Sequence, residues 1–385
     1  MGLLPFIKTH ILKALMFLMA VLQSFRSKYS VSGEKIEKIL LIQFGGIGDM
    51  VLITPAIRAL INSYPHSTIS VLGSSEYNCR FLKEYNNISE INGFNIFSFD
   101  MRQVLKPHVL QSLIDVVRHL RKTRYDLLIS FRYLPLIDWL FFEWLLIFLC
   151  KTKYRIGLNP PFLHERSIFD QWLLNTDLTG KHYTDFYCDL LTHSGIHISS
   201  RQTEFPVSTT DMRVAGQFLS SLPADAFLVS VHVGGVRLNL ENEVWDIENY
   251  ISIVEGLIKI NAYIVILGSS DDREKTRLIA QAAENRCIDL TAKTSIEEMA
   301  AVVKKSHLFI GNDSGPFHVA VAVGTPTIGI FTRNVDEPEY YLYKNDNVFI
   351  FRESFTLRPS VEEVLKKAEN FFLKRRIGDE ARMLP

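Results

Sequence analysis

Apolar positions along the chain follow two recurring patterns. Short runs of consecutive aliphatic residues end in glycine or small polar residues. Stretches with apolar residues three and four apart come next. Ile39–Phe44 is the first run, and its unbroken apolar character predicts a strand buried on both faces. Gly45-Gly46-Ile47-Gly48 follows, then Met50, Val51, Ile53, Ile57, Leu60 and Ile61 at helical spacing, up to Tyr64-Pro65. Thr68–Leu72 and Asp126–Ser130 predict two further strands, the latter preceded by a helix around Leu110–Leu120. A second series begins near Pro206. It has strands at Phe227–Val233, Tyr263–Leu267, Ile288–Leu290, Leu308–Ile310 and Thr327–Phe331. Its helices cover about Ile247–Ile260, Glu274–Ala283, Ser295–Ser306 and a charged terminal Val361–Lys374. Strands alternating with helices predict the α/β class, with parallel sheets covered on both faces. A chain of 385 residues suits two such domains.

Two apolar stretches fall outside this alternation. Residues 11–25 follow Lys8 and His10 and precede Arg26 and Lys28. The run is shorter than the ~20 residues of a spanning helix and has no small-residue cleavage site. It reads as a basic-flanked helix lying at a membrane interface, or with equal weight as a helix packed on the first domain. Leu134–Cys150 is interrupted by Asp138 and Glu143, which predicts a buried or surface-docked helix and not a span.

Composition changes the picture little. Hydrophobic residues make up 47% and charged residues 22%, which excludes a disordered chain. Formal net charge is zero, so no global field recruits nucleic acid. Positive charge is concentrated early: Lys8, Lys13, Arg26, Lys28, Lys35 and Lys38 stand against Glu34 and Glu37 within residues 1–39. Cys79, Cys150, Cys188 and Cys287 form no CxxC pair, which suits a reducing compartment and predicts no zinc site.

Ligands of open α/β sheets bind beyond the carboxyl ends of the strands. The turns at 45–48, 234–236, 268–270 and 311–315 all lie there. Phe44-Gly45-Gly46-Ile47-Gly48-Asp49 is not a dinucleotide fingerprint, since Val51 stands where its third glycine belongs. Nor is it a Walker loop, since no GK[ST] follows. Asp49 reads from spacing as a helix cap in about two cases of three, and otherwise as a general base. Phe309-Ile310-Gly311-Asn312-Asp313-Ser314-Gly315-Pro316-Phe317-His318, with Gly324-Thr325-Pro326, ends a strand and opens a helix, with Pro316 at a first-turn position. Free N–H groups there, with Ser314, suit a phosphate, and Asp313 suits sugar hydroxyls. Turn chemistry and a core histidine are the plainer alternative.

Gly45–Leu52, then Thr54-Pro55-Ala56-Ile57-Arg58-Ala59-Leu60 and Tyr64-Pro65, resemble the amino-terminal signature of glycosyltransferase family 9, the ADP-heptose:lipopolysaccharide heptosyltransferases. Gly311–Ala320 with Gly324–Thr327 resembles its carboxy-terminal signature. Arg155-Ile156-Gly157, His232-Val233-Gly234-Gly235 and Leu290–Ser295 are weaker matches in the family's order. The resemblance runs from about residue 37 to 331. It implies the GT-B fold, two Rossmann-like domains facing across a cleft. The expected organisation is an amphipathic extension over 1–36, an acceptor domain over 37–205, a donor domain over 206–355, and a helix and tail over 356–385. The resemblance further implies inverting transfer without a metal or cofactor. The donor would be an ADP-heptose-like nucleotide-diphospho-sugar, and the acceptor a glycolipid or oligosaccharide of the lipopolysaccharide type.

By resemblance Asp49 becomes the catalytic base, beside the acceptor-side loop Gly45, Gly46 and Gly48. Asp313 contacts the donor sugar, and Ser314, Gly315 and His318 lie around its phosphates. Gly234 and Gly235 line the donor site, and Asp271 or Asp272 meets the ribose. The family's lysine before the tryptophan matched by Trp245 is absent, and Glu241-Asn242-Glu243 stands there. Arg237 is the expected substitute, with Lys293 and Arg333 as competitors. Thr332-Arg333-Asn334 replaces the usual Gly-Pro after the last strand. Arg118, Arg121, Lys122, Arg124, Arg132, Tyr133, Trp139, Trp144, Lys151, Lys153 and Arg155 are the expected acceptor-side basic and aromatic content, or equally an ordinary solvated face. The expected location is cytoplasmic, peripheral at the inner face of the membrane. A nucleotide-sugar epimerase, which would turn over donor alone, and a non-catalytic nucleotide-sugar-binding protein are the alternatives.

Overall fold

The computed structural model describes residues 3–25, 31, 33–98, 106–131, 136–163, 165–174, 181–234, 245–331, 343, 347–352 and 359–382. The chain divides into two compact units, Met1–Gln202 and Thr203–Pro385.

Unit 1 runs α1 (Leu3–Ser24), β1 (Lys38–Gln43), α2 (Ile47–Leu52), α3 (Thr54–Ser63), β2 (Thr68–Gly73), α4 (Glu76–Cys79), β3 (Ile88–Gly93), α5 (Pro107–Lys122), β4 (Tyr125–Ser130), α6 (Ile137–Leu149), β5 (Thr152–Asn159), β6 (Gln171–Leu174) and α7 (Tyr183–His193). Among the described residues its six strands form one parallel sheet in the order β3-β2-β1-β4-β5-β6. Five consecutive residues of β1 are buried, so both faces of the strand are covered, as its unbroken apolar run requires. The chain reverses its direction of travel across the sheet between β1 and β4.

Unit 2 repeats the plan. It runs α8 (Thr209–Phe218), β7 (Phe227–His232), α9 (Ile247–Lys259), β8 (Ala262–Leu267), α10 (Arg273–Ala283), β9 (Cys287–Asp289), α11 (Ile296–Lys305), β10 (Leu308–Asn312), α12 (Gly315–Ala322), β11 (Thr327–Phe331), β12 (Val348–Arg352) and α13 (Val361–Arg382). Its sheet order, β12-β11-β10-β7-β8-β9, is that of unit 1, and every pairing is again parallel. The reversal falls between β7 and β10. Val364 and Ala368 of α13 are buried in the core of this unit, beside Ile253, Val254 and Leu257 of α9.

Four strands escape the sequence patterns. β3 (ISEING) is an outer strand, so fewer of its positions need be apolar; β6 (QWLL) and β12 (VFIFR), outer strands too, are short apolar stretches. β5 carries a buried arginine, Arg155. The apolar run at the start of the chain is also longer than its 11–25 core suggests. α1 spans 22 residues, Leu3–Ser24, and by length and composition Phe6–Ser24 suffices to cross a membrane. The helix continues through Lys8 because that ammonium pairs with Asp138 of α6. Leu12, Met16 and Ala20 are fully buried, and α1 packs on α6. The acids that interrupt α6 therefore have partners: Asp138 takes Lys8, and buried Glu143 accepts from the Ser130 hydroxyl at the end of β4.

Arg155 and Gly157 of the weaker motif on β5 have structural tasks. Arg155 Nη1 donates to Gln23 Oε1 of α1 at 2.7 Å and Nη2 to the Cys150 carbonyl at 3.1 Å. Gly157 packs under the Phe169 ring, which stands edge-on to Trp144. A Cβ at 157 would overlap that ring. Gly157→Ala is expected to destabilise the protein by about 1–3 kcal/mol through overpacking. The check is a lowered midpoint of urea unfolding with the Asp49 region still in place.

Candidate functional site

In unit 1 the chain leaves the carboxyl end of β1 at Gln43, beside Ser130 at the end of β4. Gly46 is the N-cap of α2 and Asp49 is its third residue. Asp49 Oδ2 accepts the Gly46 N–H at 2.6 Å. The cap suggested by spacing is therefore present, but it uses one carboxylate oxygen. Oδ1 accepts no hydrogen bond among the described residues, and the side chain is only half-buried. Gly45 has to be glycine, since a Cβ there would overlap the Asp49 carboxylate. The Gly45 carbonyl accepts from Ser74 Oγ and from Asn78 Nδ2 (3.1 Å), which fixes the loop from the β2 side. Gly48 is buried within α2.

The rest of the amino-terminal motif builds the support. Thr54 Oγ1 donates to the Val51 carbonyl at 2.7 Å, and Pro55 lies in the first turn of α3. Arg58 Nη2 reaches the Gln202 carbonyl at 2.9 Å. Thr184 Oγ1 at the start of α7 donates to the Leu52 carbonyl at 3.1 Å.

In unit 2 the carboxyl ends of β7, β8 and β10 converge. Asn312 Nδ2 donates to the Val233 carbonyl at 3.1 Å, and its Oδ1 accepts the Tyr250 hydroxyl at 2.6 Å. Ser314 is the N-cap of α12, yet its hydroxyl does not cap that helix. It lies 3.4 Å from His232 Nδ1 and donates to the Asn312 carbonyl at 3.2 Å. The N–H groups of Ser314 and Gly315 meet no acceptor among the described residues. His318, one turn into α12, has its Nδ1 2.7 Å from the Tyr343 hydroxyl. Its Nε2 lies 3.9 Å from Asp313 Oδ1. Burial pushes the Tyr343 phenol up, so it remains a proton donor.

The two aspartates after β8 are distinct. Asp272 Oδ2 accepts the Ser269 N–H at 2.7 Å in a capping box, and its carboxylate packs against Gly234 so closely that a Cβ there would overlap it. Asp271 is exposed, and among the described residues its carboxylate meets Ser270 Oγ at 3.4 Å. Ala292 holds a left-handed φ of 56° and donates its N–H to the Gly268 carbonyl at 2.9 Å, a strained residue against this same loop. Lys293 is spent locally: its ammonium sits 2.6 Å from the Asp289 carbonyl. Trp245 is buried edge-on to Tyr250, with its Nε1–H lacking a partner among the described residues. Gly235, Arg237, Glu241, Glu243 and Arg333 lie outside the described residues, as do Arg132 and Tyr133.

The basic content expected beside the acceptor lies elsewhere. Arg121, Lys122 and Arg124 join the end of α5 to the start of β4, and Lys151 precedes β5. In a parallel sheet each returning helix ends at the amino edge of the next strand. These cations therefore lie a strand's length, about 17–20 Å, from the edge that carries Asp49. Trp144 and Arg155 are buried, Arg118 pairs with Asp115, and Lys153 pairs with Glu34. Sequence reasoning missed Tyr343, His232 and Tyr250 as partners of the second motif. His232 had a signal, the polar residue that ends an apolar strand; Tyr343 had none.

Twin parallel sheets of one order, each with a glycine-bearing polar loop at its reversal point, define the GT-B class of glycosyltransferase fold. The chain belongs to glycosyltransferase family 9 (heptosyltransferase), whose family model matches residues 114–364. It is 23% identical over 293 residues to lipopolysaccharide heptosyltransferase 3 of Escherichia coli, covering 74% of this chain and 80% of that one. It is 21% identical over 302 residues to the lipopolysaccharide core heptosyltransferase OpsX of Haemophilus influenzae, covering 77% and 79%. A family 9 glycosyltransferase structure from Veillonella parvula superposes with a TM-score of 0.71 at 20% identity, over 90% of this chain and 100% of that one. The E. coli heptosyltransferase WaaC with ADP gives 0.65 at 15% identity, over 87% and 99%. The protein is thus a glycosyltransferase.

Burial lowers the His232 pKa to about 4, against the opposing field of Asp272. An imidazole that is neutral when folded and titrates near 6.5 when unfolded contributes stability above pH 6.5. That contribution, roughly 3 kcal/mol at most, is lost as pH falls from 6.5 to 4. Thermal unfolding followed between pH 7 and 4 is expected to show this loss, with a shallower slope in His232→Gln.

Proposed function

We propose that this glycosyltransferase moves a heptose from a nucleotide-diphospho-sugar of the ADP-heptose kind to a lipopolysaccharide-type acceptor, with inversion at the transferred carbon. The observation that carries this is the state of Asp49: one oxygen is fixed by the Gly46 N–H, and the other is open at the carboxyl edge of the unit 1 sheet. A cap alone needs only the first oxygen. Similarity to named lipopolysaccharide heptosyltransferases over about three-quarters of the chain supports the substrate class. The neighbour solved with ADP supports a nucleotide ligand for this fold. Four free cysteines fit the cytoplasm.

In this mechanism the acceptor hydroxyl gives its proton to Asp49 Oδ1 as its oxygen attacks the anomeric carbon. The bond to the diphosphate breaks on the opposite face, so a single displacement inverts the centre. Asp49 is held in aim by the Gly46 N–H, and proton transfer to a positioned base contributes ~10²–10⁴-fold. Charge accumulates on the departing diphosphate. The unpaired N–H groups of Ser314 and Gly315 and the Ser314 hydroxyl, at the positive end of α12, are suited to those oxygens. Asp313, oriented by His318, takes the sugar hydroxyls, and Asp272 faces the ribose. Arg237 supplies the cation that Glu243 does not.

Asp49→Asn is expected to keep its fold and donor affinity while turnover falls ~10²–10⁴-fold. Single-turnover kinetics beside calorimetric donor binding separates the two quantities. Near-normal turnover would return Asp49 to a purely capping role. Gly315→Val, which blocks backbone approach, is expected to weaken nucleotide binding about tenfold or more while leaving the melting temperature of the free protein near wild type. Unchanged affinity in that variant would move the diphosphate away from α12.

A further inference from the structure

α1 is apolar on two faces. Leu12, Met16, Met19 and Ala20 fill the face seated on α6. Ile7, Ile11, Leu15, Leu18, Leu22 and Phe25 follow at spacings of four and three, which aligns them along a second face. All six are exposed, from 41% at Leu15 to 83% at Phe25. No acidic residue occurs anywhere in the helix. A stripe of this length left in water is unusual for a surface helix and marks an interaction face.

The neighbourhood of its carboxyl end indicates what covers it. Gln23 of α1 is bonded to Arg155, and Arg155 lines a concavity of about 500 Å³ together with Arg121, Lys122, Arg124, Cys150, Lys151 and Thr152. Five of the seven lining residues are cationic, and none is acidic. Arg155 is buried and engaged with carbonyls, so it forms the floor. Arg121, Lys122, Arg124 and Lys151 are exposed and have no ion-pair or hydrogen-bond partner among the described residues. Other cations nearby on unit 1 are paired: Arg118 with Asp115 and Lys153 with Glu34.

We propose that the exposed face of α1 and this basic concavity form one docking surface for an anionic phospholipid bilayer. α1 lies in the plane of the interface with its six apolar side chains among the acyl chains. Arg121, Lys122, Arg124 and Lys151 take lipid phosphates. The orientation is in-plane because α1 is tied to unit 1 along its length: Lys8 to Asp138, Lys13 over the Phe162 ring, Arg166 over the Phe17 ring and Gln23 to Arg155. A spanning orientation would break all four and expose Leu12, Met16 and Ala20. Apolar insertion with phosphate-binding cations at its margin is the arrangement by which interfacial helices hold anionic membranes. The site is separate from Asp49 and from the α12 loop, so the inference stands whether or not heptose is the sugar transferred.

The test is cosedimentation of the full chain with vesicles of phosphatidylcholine alone or with about one-third phosphatidylglycerol. Strong binding is expected on the anionic vesicles, weakened by salt, with release by alkaline carbonate. Leu15→Asp with Leu18→Asp is expected to abolish binding while leaving the circular dichroism and melting temperature near wild type. Ile11→Gln is a milder companion should the double variant misfold. Arg121→Gln with Lys122→Gln and Arg124→Gln is expected to lose affinity for anionic vesicles on the order of 10²-fold, about fivefold per charge, and to keep weak binding to neutral ones. Wild-type sedimentation of these variants would overturn the proposal. So would retention through carbonate, which would mean a spanning helix. A vesicle-independent dimer dissolved by the leucine variant would overturn it in favour of a second copy of the chain.

Discussion

A carboxylate three residues into a helical turn, closing back on the N–H that precedes the turn, sets the geometry of both units. It appears as Gly45…Asp49 after β1 and as Gly268…Asp272 after β8, with the same spacing from glycine to aspartate. In each case the carboxylate is packed so closely that a neighbouring glycine cannot acquire a Cβ: Gly45 in the first, Gly234 in the second. The bond satisfies one of the donors orphaned at the start of a helix. It also places an anion at the carboxyl edge of a sheet with an oxygen to spare. The strands, their order and the helices behind them keep that edge rigid, and the loops then need few residues to define a site.

The second motif works by the opposite economy. Ser314 stands where a serine would cap α12, and its hydroxyl turns to His232 instead. Among the described residues the N–H groups of Ser314 and Gly315 stay unpaired, which is costly in a protein that lacks a ligand and useful in one that binds phosphate oxygens. Asn312 makes this tolerable by tying β10 to the Val233 and Gly234 carbonyls and to Tyr250. Buried His232 is held neutral by desolvation, so its ring is a polar neighbour of the Ser314 hydroxyl and carries no charge.

Much of this was legible in the sequence. The central strands declare themselves because burial on two faces forces unbroken apolar runs, as in Ile39–Phe44. Both long motifs sit at points where strand order reverses, and glycine there follows from close approach. Outer strand β3 was not legible, since an outer strand has one neighbour and tolerates polar residues; β6 and β12 escaped although mostly apolar, while outer strand β9 was read. Asp138 and Glu143 read as interruptions because their partners, Lys8 and Ser130, lie on other elements. The basic cluster was read as content of the first domain with no edge assigned, since composition gives charge without direction along a strand; Arg121, Lys122, Arg124 and Lys151 lie at its amino edge. Arg155 was read as surface chemistry, although it is a buried clamp on α1.

The seat of α1 carries a cost during synthesis. Lys8 and its partner Asp138 are separated by 130 positions, so at 5–20 residues per second the helix leaves the ribosome on the order of ten seconds before α6 exists to receive it. For that interval both of its apolar faces meet water, and nothing local can hide them. The nascent chain therefore presents a long, basic, acid-free hydrophobic helix to whatever waits at the tunnel exit. A chaperone or the membrane itself takes hold in that interval, before unit 1 is complete.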